Sequence, residues 1–268
     1  MYRVKPSIEL KEGPYIYNMK SNPRGYCIML NNYEFLPEYV VTRHGSLSEA
    51  EYLSRIFTQL GYEVIPFENL SAEKMLHVFV EISKDPKLQE HDSLVVVILT
   101  HGDRGLLMGS DGFFAGVETI VGMFNNHNCG ALINKPKMFF IQACRGDAYD
   151  YGVVDPASAA DAVPRPSPVA DTGVPILPTA TDTLICYSTV EGYVSLRNET
   201  TGSWFGDAMG KVFVDHACDE DIETLLKRVN NRMLRRESLM VDRVKQALEV
   251  VLRGWRKQLY FNPGIFEA

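Results

Sequence analysis

The chain has 268 residues, 46% hydrophobic and 23% charged, with a formal net charge of −7 and a pI near 5.4. That length buries a sizeable core in one large domain or two modest ones, and the acidic balance argues against nucleic acid as the main partner. The longest apolar run, residues 94–99, is far too short to cross a bilayer. No basic segment leading into an apolar stretch opens the chain, so the expected location is the cytoplasm, with no membrane contact.

Short apolar runs alternate with segments of helical period. "YCIML" (26–30) reads as a strand. "SLSEAEYLSRIFTQLG" follows as a helix, with Ser46 and Glu49 spaced as a capping box and Ala50, Leu53, Ile56, Phe57 and Leu60 on one face before Gly61. Next come a strand at "YEVIP" (62–66), a helix over 71–83, and strands at "SLVVVILT" (93–100), "MFFIQA" (138–143) and "TLICYSTV" (183–190). Helices are predicted over 202–217 and 221–234, and a final strand at "KQLYFN" (257–262). Several of these strands are apolar on both faces, as in a covered, mostly parallel sheet. The alternation implies an α/β sandwich around one sheet.

Residues 147–182 interrupt this pattern. They hold six prolines, six aspartates and seven alanines, a composition that favours neither a packed core nor a regular element inside a compact domain.

The five cysteines include no C-x-x-C pair, so neither a metal centre nor thioredoxin-type chemistry is indicated and no cofactor is implied. Without a secretory segment the thiols are expected to be reduced. Cys27, Cys129, Cys186 and Cys218 read as small buried hydrophobes. Cys144 differs because it ends a strand, and in open α/β sheets ligands bind beyond the carboxyl ends of strands. A second strand ends in His101-Gly102. Cysteine is the most nucleophilic side chain near neutral pH when its thiolate is accessible. A neighbouring histidine can protonate a leaving amine, and a glycine leaves a backbone N–H open to an oxyanion. The pair fits a cysteine hydrolase.

"QACRG" (142–146) preceded by a histidine some 40 residues upstream matches the caspase signature. "KPKMFFIQACRG", "VVVILTHGDRG", "VVTRHGS", "YSTVEGYVSLRN", "GSWF" and "LYF" follow in the family's order, so the chain resembles the caspases over essentially its whole length. The resemblance implies a caspase-like sandwich: a central, mostly parallel six-stranded sheet with helices on both faces. It implies Cys144 as nucleophile, His101 as general acid, Gly102 and Cys144 N–H groups as the oxyanion hole, and Val41 as the carbonyl behind the histidine. Arg43, Gln142 and Arg197 fall on the positions that receive the aspartate before the cut. Two guanidiniums and an amide suit a short carboxylate through charge-assisted bonds.

Val194, Ser195, Leu196 and Trp204 fall on the neighbouring subsites. Val194 and Leu196 stand where family members often carry aromatics, and the stretch 230–254 has none; a groove without those rings gives up stacking and burial energy. The resemblance further implies one catalytic domain with no prodomain in this chain, and residues 147–182 as a processing linker between a large part (1–161) and a small part (172–268). Candidate cuts follow Asp161, Asp171 and Asp182. Cleavage after Asp161 would expose Ala162-Val163-Pro164, resembling the amino-terminal motif that inhibitor-of-apoptosis proteins capture. The implied partners are protein substrates bearing aspartate before the cut and a second copy in a homodimer of large/small pairs. An inactive, caspase-like regulator is the alternative of a different class. Arg145-Gly146-Asp147 reads as a chance integrin-type tripeptide.

Overall fold

A computed structural model of the chain describes residues 3–150, 178–198, 202–236 and 244–266. Six strands form the central sheet: β1 Gly25–Asn31, β2 Glu63–Glu68, β3 Ser93–Leu99, β4 Lys137–Gln142, β5 Thr183–Tyr187 and β6 Glu249–Arg253. Their spatial order is β6-β5-β4-β3-β1-β2. Every neighbouring pair is parallel except β6 on β5. The expected six-stranded, mostly parallel sheet is therefore present.

Strands β1, β3, β4 and β5 are buried along their whole length, which is why their sequences are apolar at consecutive positions. Alternate residues feed two cores. Cys27, Met29, Val97, Phe140 and Cys186 meet helices α1 (Ser46–Gln59), α4 (Trp204–His216) and α5 (Ile222–Leu234) on one face. Ile28, Val96, Ile98, Phe139 and Ile185 meet α2 (Ala72–Ser83) and α3 (Val117–Met123) on the other. Each such side chain contributes about 1.5–3 kcal/mol relative to exposure, so neither face tolerates a polar replacement.

Three expectations differ from the structure. The sixth strand is β6 rather than 257–262. Leu259 and Phe261 are buried as their apolar character demands, but this segment's backbone pairs with the chain start: Tyr17 N donates to Gln258 O (2.9 Å) and Gln258 N to Tyr15 O (2.8 Å). Second, Ser46 and Glu49 do not form a capping box. Helix α1 starts after Gly45 at φ 77°, and neither side chain turns back on the helix end. Both point inward instead, and their partners are described with the site below. Third, a three-stranded antiparallel ribbon (Gly102–Asp103, Leu106–Met108, Phe114–Gly116) and α3 fill the stretch after β3. Strands of two or three residues are too short to show a period.

The chain ends are tied by Arg24, which has 0% exposure. Its guanidinium donates to the carbonyls of Leu60 (3.0 Å), Met19, Asn262 (2.6 Å) and Ile265 and lies over the Phe266 ring at 4.8 Å. Removing one partner from buried polar groups costs their full desolvation. Arg24→Ala is expected to lower unfolding free energy by about 3 kcal/mol, read as a drop in the urea midpoint; an unchanged midpoint would contradict this role.

Candidate active site

Strands β3 and β4 are adjacent and parallel, with Leu99 opposite Gln142. Thr100 N continues the ladder to Gln142 O at 3.1 Å. His101 and Cys144, each two residues past its strand, therefore emerge at the same sheet edge. Gly102 turns back to pair with Leu107. A Cβ there would stand 2.5 Å from the Leu106 carbonyl oxygen and 3.1 Å from that of Cys144, so only glycine lets this backbone lie against the cysteine.

The His101 Nε2 is 2.7 Å from the Val41 carbonyl oxygen. That oxygen only accepts, so Nε2 carries the proton and Nδ1 is the lone-pair nitrogen of the neutral ring. Phe35 covers the imidazole with ring centroids 4.8 Å apart. Burial pushes the His101 pKa down to about 4; the Val41 bond opposes this, and the cations Arg43 and Arg197 add to it. The Cys144 thiol is half-buried, and its Sγ accepts from Ser195 N at 3.4 Å.

Arg43 is 2% exposed. One guanidinium nitrogen donates to Asn32 O (3.1 Å) and Ser46 Oγ (2.8 Å), and the other to Gln142 Oε1. Ser46 in turn donates to Asn31 Oδ1 at 2.6 Å. Burial, and next the Arg197 charge, bring the Arg43 pKa down to about 9, leaving it cationic at neutral pH. Gln142 Nε2 donates to Ser195 Oγ at 3.2 Å, so Ser195 touches both the amide and the sulfur. Arg197 sits in a short ribbon, Arg197–Asn198 against Gly202–Ser203, close enough for its charge to act on Arg43 and His101. The structure thus links Arg43, Gln142, Ser195 and Cys144 through direct contacts, brings His101 out at the same sheet edge, and sets Arg197 close enough for its charge to act on Arg43 and His101.

The outer subsite residues form a second tier. Val194 N donates to Ala148 O (2.9 Å), and Trp204 N to Leu196 O (3.1 Å). The Trp204 ring lies 5.9 Å from the Arg236 guanidinium.

Two functional positions escaped the sequence reading. Glu49 is buried and accepts from Ser203 N (2.7 Å) and the Ser203 hydroxyl. Burial raises its pKa, while Ser203 and the charges of Arg43 and Arg197 oppose that. It is the buried counter-charge of the arginine pair, and it fixes Ser203, which caps α4 by accepting from Gly206 N at 2.8 Å. Gln246, 1% exposed, spans the groove wall. Its Oε1 accepts from Leu196 N (2.7 Å), and its Nε2 donates to Ser188 O (2.6 Å) and Ser195 Oγ (3.2 Å). The i, i+3 spacing of Ser46 and Glu49 suits a capping box equally well, so only the fold distinguishes the two; Gln246 carries no local signal at all.

Arg145 is mostly buried, 4.0 Å over the Tyr187 ring, bonded to Thr189 O (3.2 Å) and paired with Glu249. This arginine supports the loop beside Cys144 and does not display a tripeptide. Gly146, at φ 153°, packs so tightly that a Cβ would lie 2.3 Å from Gly192 O. Asp182, one of the three candidate cuts, is 0% exposed and bonded to Tyr17 (2.8 Å), Thr181 (2.7 Å) and Arg256 (3.0 Å); the folded chain does not present this bond to a protease. Asp161, Asp171 and Ala162-Val163-Pro164 lie outside the described residues.

Comparison with known proteins places this geometry in context. The family model "Caspase domain" matches residues 24–260. Caspase-2 of Gallus gallus is 36% identical over 227 residues, covering 82% of this chain and 54% of that protein. Caspase-9 of Homo sapiens is 34% identical over 272 residues, 92% of this chain and 63% of that protein. Cell death protein 3 of Caenorhabditis remanei is 33% identical, over 92% of this chain and 52% of that protein. The chain thus spans between about half and two thirds of the length of these relatives. Caspase-1 from Spodoptera frugiperda superposes with a TM-score of 0.83 at 29% identity, covering 98% of this chain and 99% of that one. Among the described residues no helix is long and apolar enough to cross a membrane.

The depressed His101 pKa has a measurable consequence. Between its ordinary 6.5 and about 4, the unfolded chain takes up a proton that the folded chain refuses. Stability is therefore lost as pH falls through that window. His101→Gln should flatten this part of the stability–pH slope, measured by urea unfolding from about pH 7 down to about pH 4. Parallel slopes for the variant and the parent would contradict the assignment.

Proposed function

The chain belongs to the caspase family, and from that premise we propose that it is a cysteine endopeptidase that cuts proteins after aspartate in programmed cell death. The observation that carries this reading is the buried Arg43–Gln142 pair beside Arg197, set against Cys144. A substrate carboxylate entering between two guanidiniums replaces its lost hydration with charge-assisted bonds. An uncharged isostere leaves those donors unmatched, which costs such sites roughly 10⁴ in rate.

The reaction follows from the donor arrangement. Nδ1 of His101 is the ring's free basic nitrogen and takes the thiol proton. The sulfur adds to the aspartate's own backbone carbonyl carbon, and N–H groups of Gly102 and Cys144 receive the oxyanion. As the C–N bond breaks, His101 gives its proton to the departing amine. Water, deprotonated by the same imidazole, then splits the thioester and restores the thiol. Burial makes His101 weakly basic and so a good proton donor once protonated, suited to expelling an amine. Val194, Leu196 and Trp204 line the subsites upstream of the aspartate. The run of contacts from Arg43 through Gln142 and Ser195 to Cys144 favours an active enzyme over an inactive regulator.

Residues 147–182 are the processing linker in this reading, with Asp171 and Asp161 as cuts in preference to the shielded Asp182. They would separate a large part near 1–161 from a small part near 172–268, and cleavage after Asp161 would offer Ala162-Val163-Pro164 to inhibitor-of-apoptosis proteins. Edge strand β6 supports a homodimer: Val250 and Leu252 are 39% and 42% exposed on it, and an apolar sheet edge invites a second copy.

The test is the intact mass of the chain expressed beside its Cys144→Ala variant. The expected result is two fragments for the parent, the first ending at an aspartate within 147–182, and an uncut variant. Identical cutting of both, or no cutting together with no activity on aspartyl peptides, would overturn the reading.

A further inference from the structure

We propose that the cleft between α4 and α5 binds a small organic polyphosphate. The cleft has a volume of about 460 Å³ and is lined by Arg228, Arg232, Arg235, Arg236, Asn231 and His216. That volume lies in the range of small-molecule sites. The proposal goes beyond the peptidase reading and does not rest on it.

The concentration of positive charge runs against the chain's own balance of −7. Arg228, Arg232 and Arg235 follow at spacings of four and three residues, so they form one stripe along α5 and just past its end. The adjoining face of the helix packs on the core through Leu225, Leu226, Val229 and Met233. Like charges at these spacings repel, which opposes the helix unless a counter-charge is supplied. The helix dipole accounts for cations in the last turn, but Arg228 lies almost two turns earlier.

The four guanidiniums divide into two kinds. Arg228 forks onto Glu220, with Nε–Oε2 at 2.6 Å. Arg236 is paired with Asp207 and lies over Trp204. These two pairs hold the rims in place and engage Glu220 and Asp207, while Asp219, within 4.8 Å of His216 and Glu220, is a further carboxylate at this edge. Arg232 and Arg235 have no ion-pair partner among the described residues and are exposed. His216 from α4 and the Asn231 amide add polar groups from both walls. One phosphate could meet the two free forks, Arg232 and Arg235, and further phosphates on the same molecule would reach the guanidiniums of Arg228 and Arg236 on the rims. A compact molecule with several phosphates satisfies the stripe, because each guanidinium presents a planar fork that phosphate oxygens match.

The test is calorimetric titration of the full chain with inositol hexakisphosphate. Saturable one-to-one binding, accompanied by a higher melting temperature, is expected. The double variant Arg232→Glu/Arg235→Glu should weaken it about tenfold or more, whereas Lys74→Glu/Lys84→Glu on α2, with the same change in net charge, should leave it unaltered. The milder Arg232→Gln/Arg235→Gln serves if the reversed pair fails to fold. Three results would overturn the proposal: no saturable binding, equal weakening in both double variants, or binding of a single-stranded RNA without binding of the inositol phosphate.

Discussion

A buried guanidinium governs the site. Arg43 is held by Asn32 O, Ser46 Oγ and the Gln142 amide oxygen, none of which is charged. A cation placed this deep is costly without a matching anion, and Glu49 lies close enough for the charges of Arg43 and Arg197 to act on it. Arg43 itself has no carboxylate bonded to it among the described residues. A substrate carboxylate of the right length would supply one, so in the proposed reading selectivity for an acidic residue follows from this electrostatic deficit.

The sheet makes that deficit useful. Gln142 ends β4, and Cys144 follows two residues later, so the group that meets the substrate side chain and the group that would attack its backbone are joined by almost no flexible chain. Ser195 links them again from outside, through its hydroxyl to Gln142 and its N–H to the sulfur. Gln246 and Glu49 brace the groove wall from behind. Positioning of this kind removes entropy from the reaction before the substrate arrives. Burial, and after it the same cations, lower the basicity of His101, so entry of a substrate carboxylate would offset the cations' part when the general base is needed.

Much of this was legible in the sequence because it rests on local chemistry. Strands β1, β3, β4 and β5 are apolar on both faces and could not be mistaken for surface helices. The cysteine and histidine were visible because they terminate such strands. What stayed hidden depends on distant partners. Glu49 has the spacing of a capping residue and is instead a counter-charge reaching Ser203, 154 positions away. Gln246 looks like any polar loop residue. The segment 257–262 has a strand's alternation, yet its hydrogen bonds go to residues 15–17. β6, the true sixth strand, exposes Val250 and Leu252 and so lacks the continuous burial that marks the others.

The most direct test compares three peptides that differ only in the residue before the cut: aspartate, asparagine and glutamate. The charge deficit predicts kcat/KM for aspartate above asparagine by roughly 10⁴, with glutamate also far below because its extra methylene misplaces the carboxylate. Values within about tenfold of one another for aspartate and asparagine would mean that Arg43, Gln142 and Arg197 do not read the substrate's charge, and the account would fail at its centre.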